Sequence, residues 1–307
     1  MDVAALGCEY WRMGTTAQPR TARAPTLGTG VPPHAFFLAS AVFHYLGPSF
    51  AVLLMDHVDV FGVVWLRIAS AAAAFAVWRR PWRILGGLSP SQRAALVALG
   101  IVLSAMNTCF YLAIDRVPLG TVGAIEFLGP IALAAAGART PRNIAALGLA
   151  AVGVYTLTDV RIAGEPIGFL FAFANCALFV PYVVLGHRLA QDGGASGIDR
   201  LGVSMLIALA AVTPLTAASV VPALGHPLLI GAGIGVGISS SVIPYVCDQL
   251  AMARLPRATF ALLLSLLPAT AAAVGAAVLH QVPTAAETGG VAMVVAGVAL
   301  HKAPRVQ

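Results

Sequence analysis

Lysine is all but missing from this sequence: Lys302 is the single one in 307 residues. That excludes a G-x-x-x-x-G-K phosphate loop and an intramembrane Schiff-base lysine. Charge of either sign is scarce as well. Lys, Arg, Asp and Glu together number 30, about 10% of the chain, where a globular protein carries roughly 25%. The four cysteines, Cys8, Cys109, Cys176 and Cys247, are scattered and give no disulfide framework. No His-Glu-x-x-His, no Gly-x-Ser-x-Gly and no paired carboxylates occur, so the familiar hydrolytic constellations lack their residues.

What is present is apolar. Hydrophobic residues make up 59% before the 31 glycines are counted, and the mean hydropathy is +0.88. Such a chain cannot cover its own surface in water, but in a bilayer an apolar exterior has no cost. A crossing helix needs about 20 apolar residues. Ten stretches qualify: 34–55, 60–78, 93–113, 118–138, 142–159, 165–187, 201–221, 227–250, 256–279 and 284–301. Connections are as short as Asp56-His57-Val58-Asp59 and Asp115-Arg116-Val117, and none is long enough for a soluble domain. The expected fold is an all-α polytopic membrane protein.

Residues 1–31 hold Arg12, Arg20 and Arg23 among Thr, Ala, Gly and Pro, with no apolar run of signal-peptide length. They read as a disordered cytoplasmic tail. With the N-terminus inside, fifteen of the eighteen basic residues fall on the cytoplasmic side. The opposite side keeps Arg116 and Arg161 together with Asp56, Asp59, Asp115, Asp159, Glu165 and Glu287. This asymmetry follows the positive-inside rule and predicts both termini in the cytoplasm, in a bacterial inner (plasma) membrane. The basic net charge then records orientation, and nucleic acid is not an expected partner.

Shifted by 138 residues, the chain partly matches itself: Cys109 on Cys247, Arg116 on Arg254, Pro118 on Pro256, Thr121 on Thr259, Pro130 on Pro268 and Gly137 on Gly275. The shift carries spans 3–4 onto spans 8–9, a displacement of five helices. Five is odd, so the second copy crosses in the opposite sense. The expected organisation is two inverted five-helix repeats, 34–159 and 165–301. Such halves can exchange inward-open and outward-open shapes around a midplane site.

Two charged residues stand at membrane depth, where insertion costs at least about 2.5–3.5 kcal/mol each. Arg67 lies about seven residues into span 2 and Glu126 about eight into span 4, so both sit roughly 10–12 Å below the outer face. They either pair with each other or face one cavity that takes a substrate or a coupling proton. Small residues share their stripes: Ser70, Ala71 and Ala74 with Arg67, and Gly123, Gly129, Pro130 and Gly137 with Glu126. Across the repeat Glu126 meets Leu264 and Arg67 meets Met205, which places charged recognition on the first half alone. Further polar candidates at helical spacing are His44, Asn107, Tyr111, Asn175 and Tyr245; for each, an interhelical hydrogen bond competes with ligand contact. Gly231-Ala-Gly-Ile-Gly-Val-Gly237 lacks the strand and acid of a dinucleotide loop and reads as a smooth helix surface. The Asp56–His57–Asp59 cluster reads as an acidic outer loop. No metal and no cofactor is expected.

The stretch Phe110-Tyr-Leu-Ala-Ile-Asp-Arg-Val-Pro-Leu-Gly-Thr-Val-Gly-Ala-Ile-Glu-Phe-Leu-Gly-Pro130 resembles the span 3–4 signature of the drug/metabolite transporter superfamily, EamA type, threonine/homoserine exporter branch. Ser239-Ser-Ser-Val-Ile-Pro-Tyr245, Arg254-Leu-Pro-Arg-Ala-Thr-Phe260 and Leu66-Arg67 are similar to the same branch. The resemblance covers 34–301 and implies ten helices, two repeats and gradient-driven export of small polar metabolites. Glu126 falls on the family's span 4 Glu. Two departures stand out: Ser265-Leu266-Leu267-Pro268 lacks the expected span 9 Glu, and Leu279-His280-Gln281 replaces a Leu-Gly-Glu. The expected function is export of an amino acid or related metabolite by alternating access. A membrane-embedded enzyme acting on lipid or quinone, or a non-transporting scaffold, are the competing classes.

Overall fold

The computed structural model describes residues 32–129, 132, 140–159, 165–190, 194–252 and 267–300. Among them all regular structure is helical. The helices are α1 (Pro33–Met55), α2 (Val60–Arg79), α3 (Pro90–Ile114), α4 (Leu119–Glu126), α5 (Pro141–Asp159), α6 (Pro166–Ala190) and α7 (Gly194–Leu224), followed by α8 (Pro227–Gly237), α9 (Ile243–Met252), α10 (Leu267–Leu279) and α11 (Ala285–Leu300). A 3-10 turn (Pro81–Gly87) follows α2, and a π turn (Ile238–Val242) joins α8 to α9. The tail 1–31, Pro130, Gly137, Leu264 and the second copy of the motif at Arg254, Pro256 and Thr259 lie outside the described residues.

Six helical stretches among the described residues are long and apolar enough to cross a membrane: His34–Met55, Val60–Arg79, Pro90–Ile114, Pro166–Gly186, Gly197–Leu224 and Pro227–Asp248. α10 and α11 are shorter apolar helices. Leu53, Tyr155, Leu170, Leu215 and Leu228 face outward while Arg67, Glu126, Asn175 and Ser204 are buried. That distribution suits hydrocarbon outside and polar groups within. The chain is an all-helical polytopic membrane protein.

Local sequence sets the helix ends. Proline opens α1, α3 and α8, where its missing N–H costs no helical bond. Asp59 accepts from Phe61 N at 3.0 Å to cap α2. Ser89 and Gln92 form a capping box at α3 (2.9 and 3.2 Å), as Thr284 and Glu287 do at α11 (2.8 and 3.2 Å).

Glycines set the close crossings. α2 runs antiparallel to α7: a Cβ on Gly62 would meet Ser219 O at 2.7 Å and one on Gly202 would meet Pro81 Cβ at 3.1 Å. Trp65 Nε1 donates to Thr213 Oγ1 (3.0 Å), and Arg79 pairs with Asp199 (2.7 Å) farther along the same seam. α8 lies along α2 in the same direction, with Gly233 on Leu66 and Gly237 on Ser70. The glycine run is therefore a smooth surface on one side only, since Gly231 and Gly235 meet nothing within 4 Å. α1 opposes α8 and α9, with Gly47 against Ser240 and the Ser40 hydroxyl donating to Pro244 O at 3.2 Å. At one end of the bundle, hereafter the Val60 end, Leu119 N donates to Gln281 Oε1 (3.0 Å). At the opposite, Arg79 end, Arg142 Nε donates to Leu300 O (2.6 Å).

The Gly47 crossing is the tightest of these to the site. An added Cβ would lie 2.6 and 2.7 Å from Ser240 N and Cα, backbone atoms that cannot rotate away. Gly47→Ala is expected to cost about 1–3 kcal/mol by overpacking and to lower the melting temperature in detergent. Gly231→Ala, with open space around it, leaves that temperature unchanged or slightly higher.

Candidate substrate site

The site begins with the π turn. A π turn widens the helix and leaves backbone groups without their usual partners, a feature frequent at functional sites. Here it holds Ser239, Ser240 and Ser241, all buried, and it faces α2. Arg67, 5% exposed, donates from Nε to Ser241 Oγ (3.0 Å) and from Nη2 to Ser240 O (3.1 Å). Its guanidinium carbon lies 5.0 Å from the centre of the Tyr111 ring, a cation–π contact. Ser70 donates to the Leu66 carbonyl within α2, and Gly233 O of α8 lies 3.2 Å from the same hydroxyl. Nη1 of Arg67 has no hydrogen-bond partner among the described residues. The charge is held from behind and left open in front.

Glu126 ends α4 and is 3% exposed. It is placed by two glycines: a Cβ on Gly129 would meet Cys176 O at 2.8 Å, and one on Gly123 would meet Ala271 Cβ at 2.7 Å and Tyr45 OH at 3.2 Å. α4 therefore lies hard against α6 and α10, and Asn175 Nδ2 of α6 donates to Glu126 Oε1 at 3.1 Å. Among the described residues Glu126 Oε2, Asn175 Oδ1, Tyr45 OH and Tyr111 OH are buried with no hydrogen-bond partner. Each such atom costs about 1–3 kcal/mol if left dry. Unsatisfied groups gathered in one place point to a ligand or ordered water.

Arg67 and Glu126 do not form an ion pair: the pairs among the described residues are Arg79–Asp199 and Arg116–Asp115. They act on one another only across space. Of the other residues singled out from sequence, Tyr111 lies beneath the guanidinium and Asn175 holds Glu126. The Tyr245 ring lies 6.3 Å from that of Tyr182 and tilted to it, within electrostatic reach of both charges. His44 packs edge-on to Tyr45 at 5.1 Å and feels Arg67. Asn107 spends its amide on its own helix, donating to Leu103 O at 2.7 Å.

Sequence reasoning missed three participants. Tyr45 and the Ser240–Ser241 turn carried no charge to mark them. Asp248 did: it is an acid within the apolar run Pro227–Asp248, and its carboxylate is reached by the Ser40 hydroxyl. The expectation of charged recognition on the first half alone did not take in Asp248, a carboxylate on α9. A cavity of about 270 Å³ lined by Thr121, His280, Gln281 and Glu287 lies at the Val60 end, and none of the seven residues singled out from sequence lines it.

No family model matches the chain. It is 32% identical over 244 residues to Threonine/homoserine exporter RhtA of Escherichia coli (strain K12), covering 78% of this chain and 80% of that protein. It is also 32% identical over 241 residues to the protein of the same name from Salmonella typhimurium (strain LT2), with 78% and 80% covered. A solved crystal structure, 18% identical, shares the fold at a TM-score of 0.55 over 87% of this chain and 96% of its own. The molecule is thus a multi-pass membrane transporter and not an enzyme. It belongs to the drug/metabolite transporter superfamily, EamA type, in the threonine/homoserine exporter branch.

The departures from that branch acquire a physical meaning. Leu267 is buried at the start of α10, so no carboxylate stands there. His280 has φ 54°, the left-handed conformation that glycine adopts without strain. Gln281 keeps an acceptor where an acid was expected, and uses it on Leu119 N.

The fork held by the π turn is specific to arginine, since a lysine ammonium cannot span Ser241 Oγ and Ser240 O while keeping a donor forward. Arg67→Lys is expected to lower substrate flux in reconstituted vesicles at least tenfold at unchanged expression. Flux equal to wild type would show that the charge alone suffices.

Proposed function

We propose that this protein is an inner-membrane secondary transporter that exports an amino acid of the threonine/homoserine type. An amino acid presents a carboxylate and an ammonium a few ångströms apart. A guanidinium held open at Nη1 suits the first, in charge-assisted geometry, and a carboxylate with one free oxygen suits the second. The observation that carries this reading is that Arg67 and Glu126 are both buried, opposite in charge and not paired. Burying two unpaired charges costs several kcal/mol, and a zwitterion between them offsets that cost. The relatives named as threonine/homoserine exporters supply the substrate class.

Alternating access between two inverted halves, 34–159 and 165–301, is the mechanism we infer. The helix pairing supports it. If α1–α5 are matched in order to α6, α7, the α8–α9 run, α10 and α11, the most extensive contacts have counterparts. α3 on α6 answers α9 on α1; α2 on α8 answers α7 on α3; α1 on α10 answers α6 on α4. The pairs α2–α7, α4–α10 and α5–α11 map onto themselves. Pairing of this kind is what an axis in the membrane plane produces. The Arg79 end, with Arg79, Arg80, Arg83, Arg93, Arg142 and Arg200, is assigned to the cytoplasm, and the Val60 end, with Asp56, Asp59 and Asp115, to the outside. Both termini are then cytoplasmic, and a proton moving inward is the coupling ion we assign.

Glu126→Gln is the decisive variant. It preserves size and the Asn175 contact but removes the charge that would hold the ammonium. In proteoliposomes loaded with radiolabelled threonine or homoserine, it is expected to reduce efflux to background while the protein stays monodisperse in detergent. Full activity in that variant eliminates the assigned site, and absence of flux in the wild type eliminates the assigned substrates.

A further inference from the structure

The polar groups of the bundle are arranged on two levels. The first holds Arg67 on Ser241, Glu126 on Asn175, and Gly47 against Ser240. Seven residues on from Ser241 stands Asp248; seven on from Asn175 stands Tyr182; seven before Gly47 stands Ser40. Seven residues are two helical turns, about 10 Å. All three steps run toward the Arg79 end, because α6 and α8–α9 start at the Val60 end and α1 finishes there. The groups of the second level are also mutually engaged. The Ser40 hydroxyl donates to Pro244 O at 3.2 Å and reaches the Asp248 carboxylate. The Tyr182 and Tyr245 rings, 6.3 Å apart and tilted by 36°, feel Asp248 as well as Glu126 and Arg67. The pair of tyrosines thus lies within electrostatic reach of both acids.

We propose that Asp248, with Ser40 and the Tyr182–Tyr245 pair, is a second recognition station that receives the substrate's ammonium group on the cytoplasmic half of the path, before the Arg67–Glu126 site. The assignment rests on the functional reading above, which sets the Arg79 end in the cytoplasm. The chemistry matches a primary ammonium. A carboxylate supplies the opposite charge, and two phenol rings offer π faces that attract a cation. Among the described residues the station shows no cation of its own to bind a carboxylate: Arg67 is engaged on the first level. It therefore grips one end of an amino acid and leaves the other free to move on to Arg67. Asp248 closes the apolar run Pro227–Asp248 and is half-buried.

The test measures transport from each face separately, with the full-length protein and radiolabelled threonine in inside-out and right-side-out membrane vesicles. Asp248→Asn is expected to raise the KM from the cytoplasmic face about tenfold and to leave the KM from the outer face within about twofold. Asp248→Glu recovers most of the loss. Ser40→Ala, which only loosens the acid, raises the cytoplasmic-face KM about two- to threefold, and decides by the same one-sided criterion if Asp248→Asn fails to insert. An unchanged cytoplasmic KM, or an equal rise on both faces, overturns the proposal. So does loss of gradient-driven accumulation with both KM values unchanged, which would assign Asp248 to the proton. No threonine flux in the wild type overturns the functional reading and this proposal with it; wild-type flux with an unchanged variant overturns this proposal alone.

Discussion

The arrangement of this bundle depends on how Arg67 is anchored. A guanidinium in hydrocarbon is tolerated only where its donors are met, and here a hydroxyl and a carbonyl of another helix meet two of them. The π turn at Ile238–Val242 turns Ser240 O and Ser241 Oγ toward α2, where they accept from Nη2 and Nε. For that to happen α8 must approach α2 closely, which requires Gly233 and Gly237, and α1 must close over the turn, which requires Gly47. Three helices are thus committed to positions set by one side chain. The Tyr111 ring beneath the guanidinium adds a fourth, α3.

Holding Arg67 this way keeps it from Glu126. A direct ion pair would satisfy both charges and lock α2 to α4, which suits a scaffold better than a carrier. Instead each charge has its own neutral support, serines and a carbonyl for one and Asn175 for the other, and each keeps one atom unspent. Neutral supports orient a charge without cancelling it. Such an arrangement suits the zwitterion site proposed above better than a structural bridge.

Much of this was legible in the sequence, for reasons that can be named. Apolar run length marked the long helices, because spanning about 30 Å fixes the number of residues; six of the ten expected spans hold described helix long and apolar enough to cross, from His34–Met55 to Pro227–Asp248. Arg67 and Glu126 announced themselves by the cost of charge in an apolar run. Other features were not legible because they arise between helices. Nothing local marks Ser240 as the acceptor for an arginine 173 positions away, or Tyr45 as the neighbour of Gly123. A π turn has no composition signature. Asp248 is a different case: its signal was the same as that of Glu126. It was overlooked because it lies near the end of its apolar run, where acids usually belong to the flanking loop.

Asp248 also bears on the two-half organisation proposed above. On that reading the principal helix pairs match across the halves, yet the polar groups do not repeat. The first half contributes Arg67 and Glu126; the second contributes the π turn that holds one, the Asn175 that holds the other, and a carboxylate of its own. On the proposed reading each half is incomplete as a binding surface, and the candidate site lies where they meet. An inverted pair with identical chemistry in both halves would offer a solute the same environment on either face. Unequal chemistry on an equal scaffold gives the two faces different groups to present, with Asp248 and Ser40 toward one end and Glu126 and Arg67 deeper in. Directional preference then requires no asymmetry in the backbone, only in what a few side chains place along a path whose helices pair evenly.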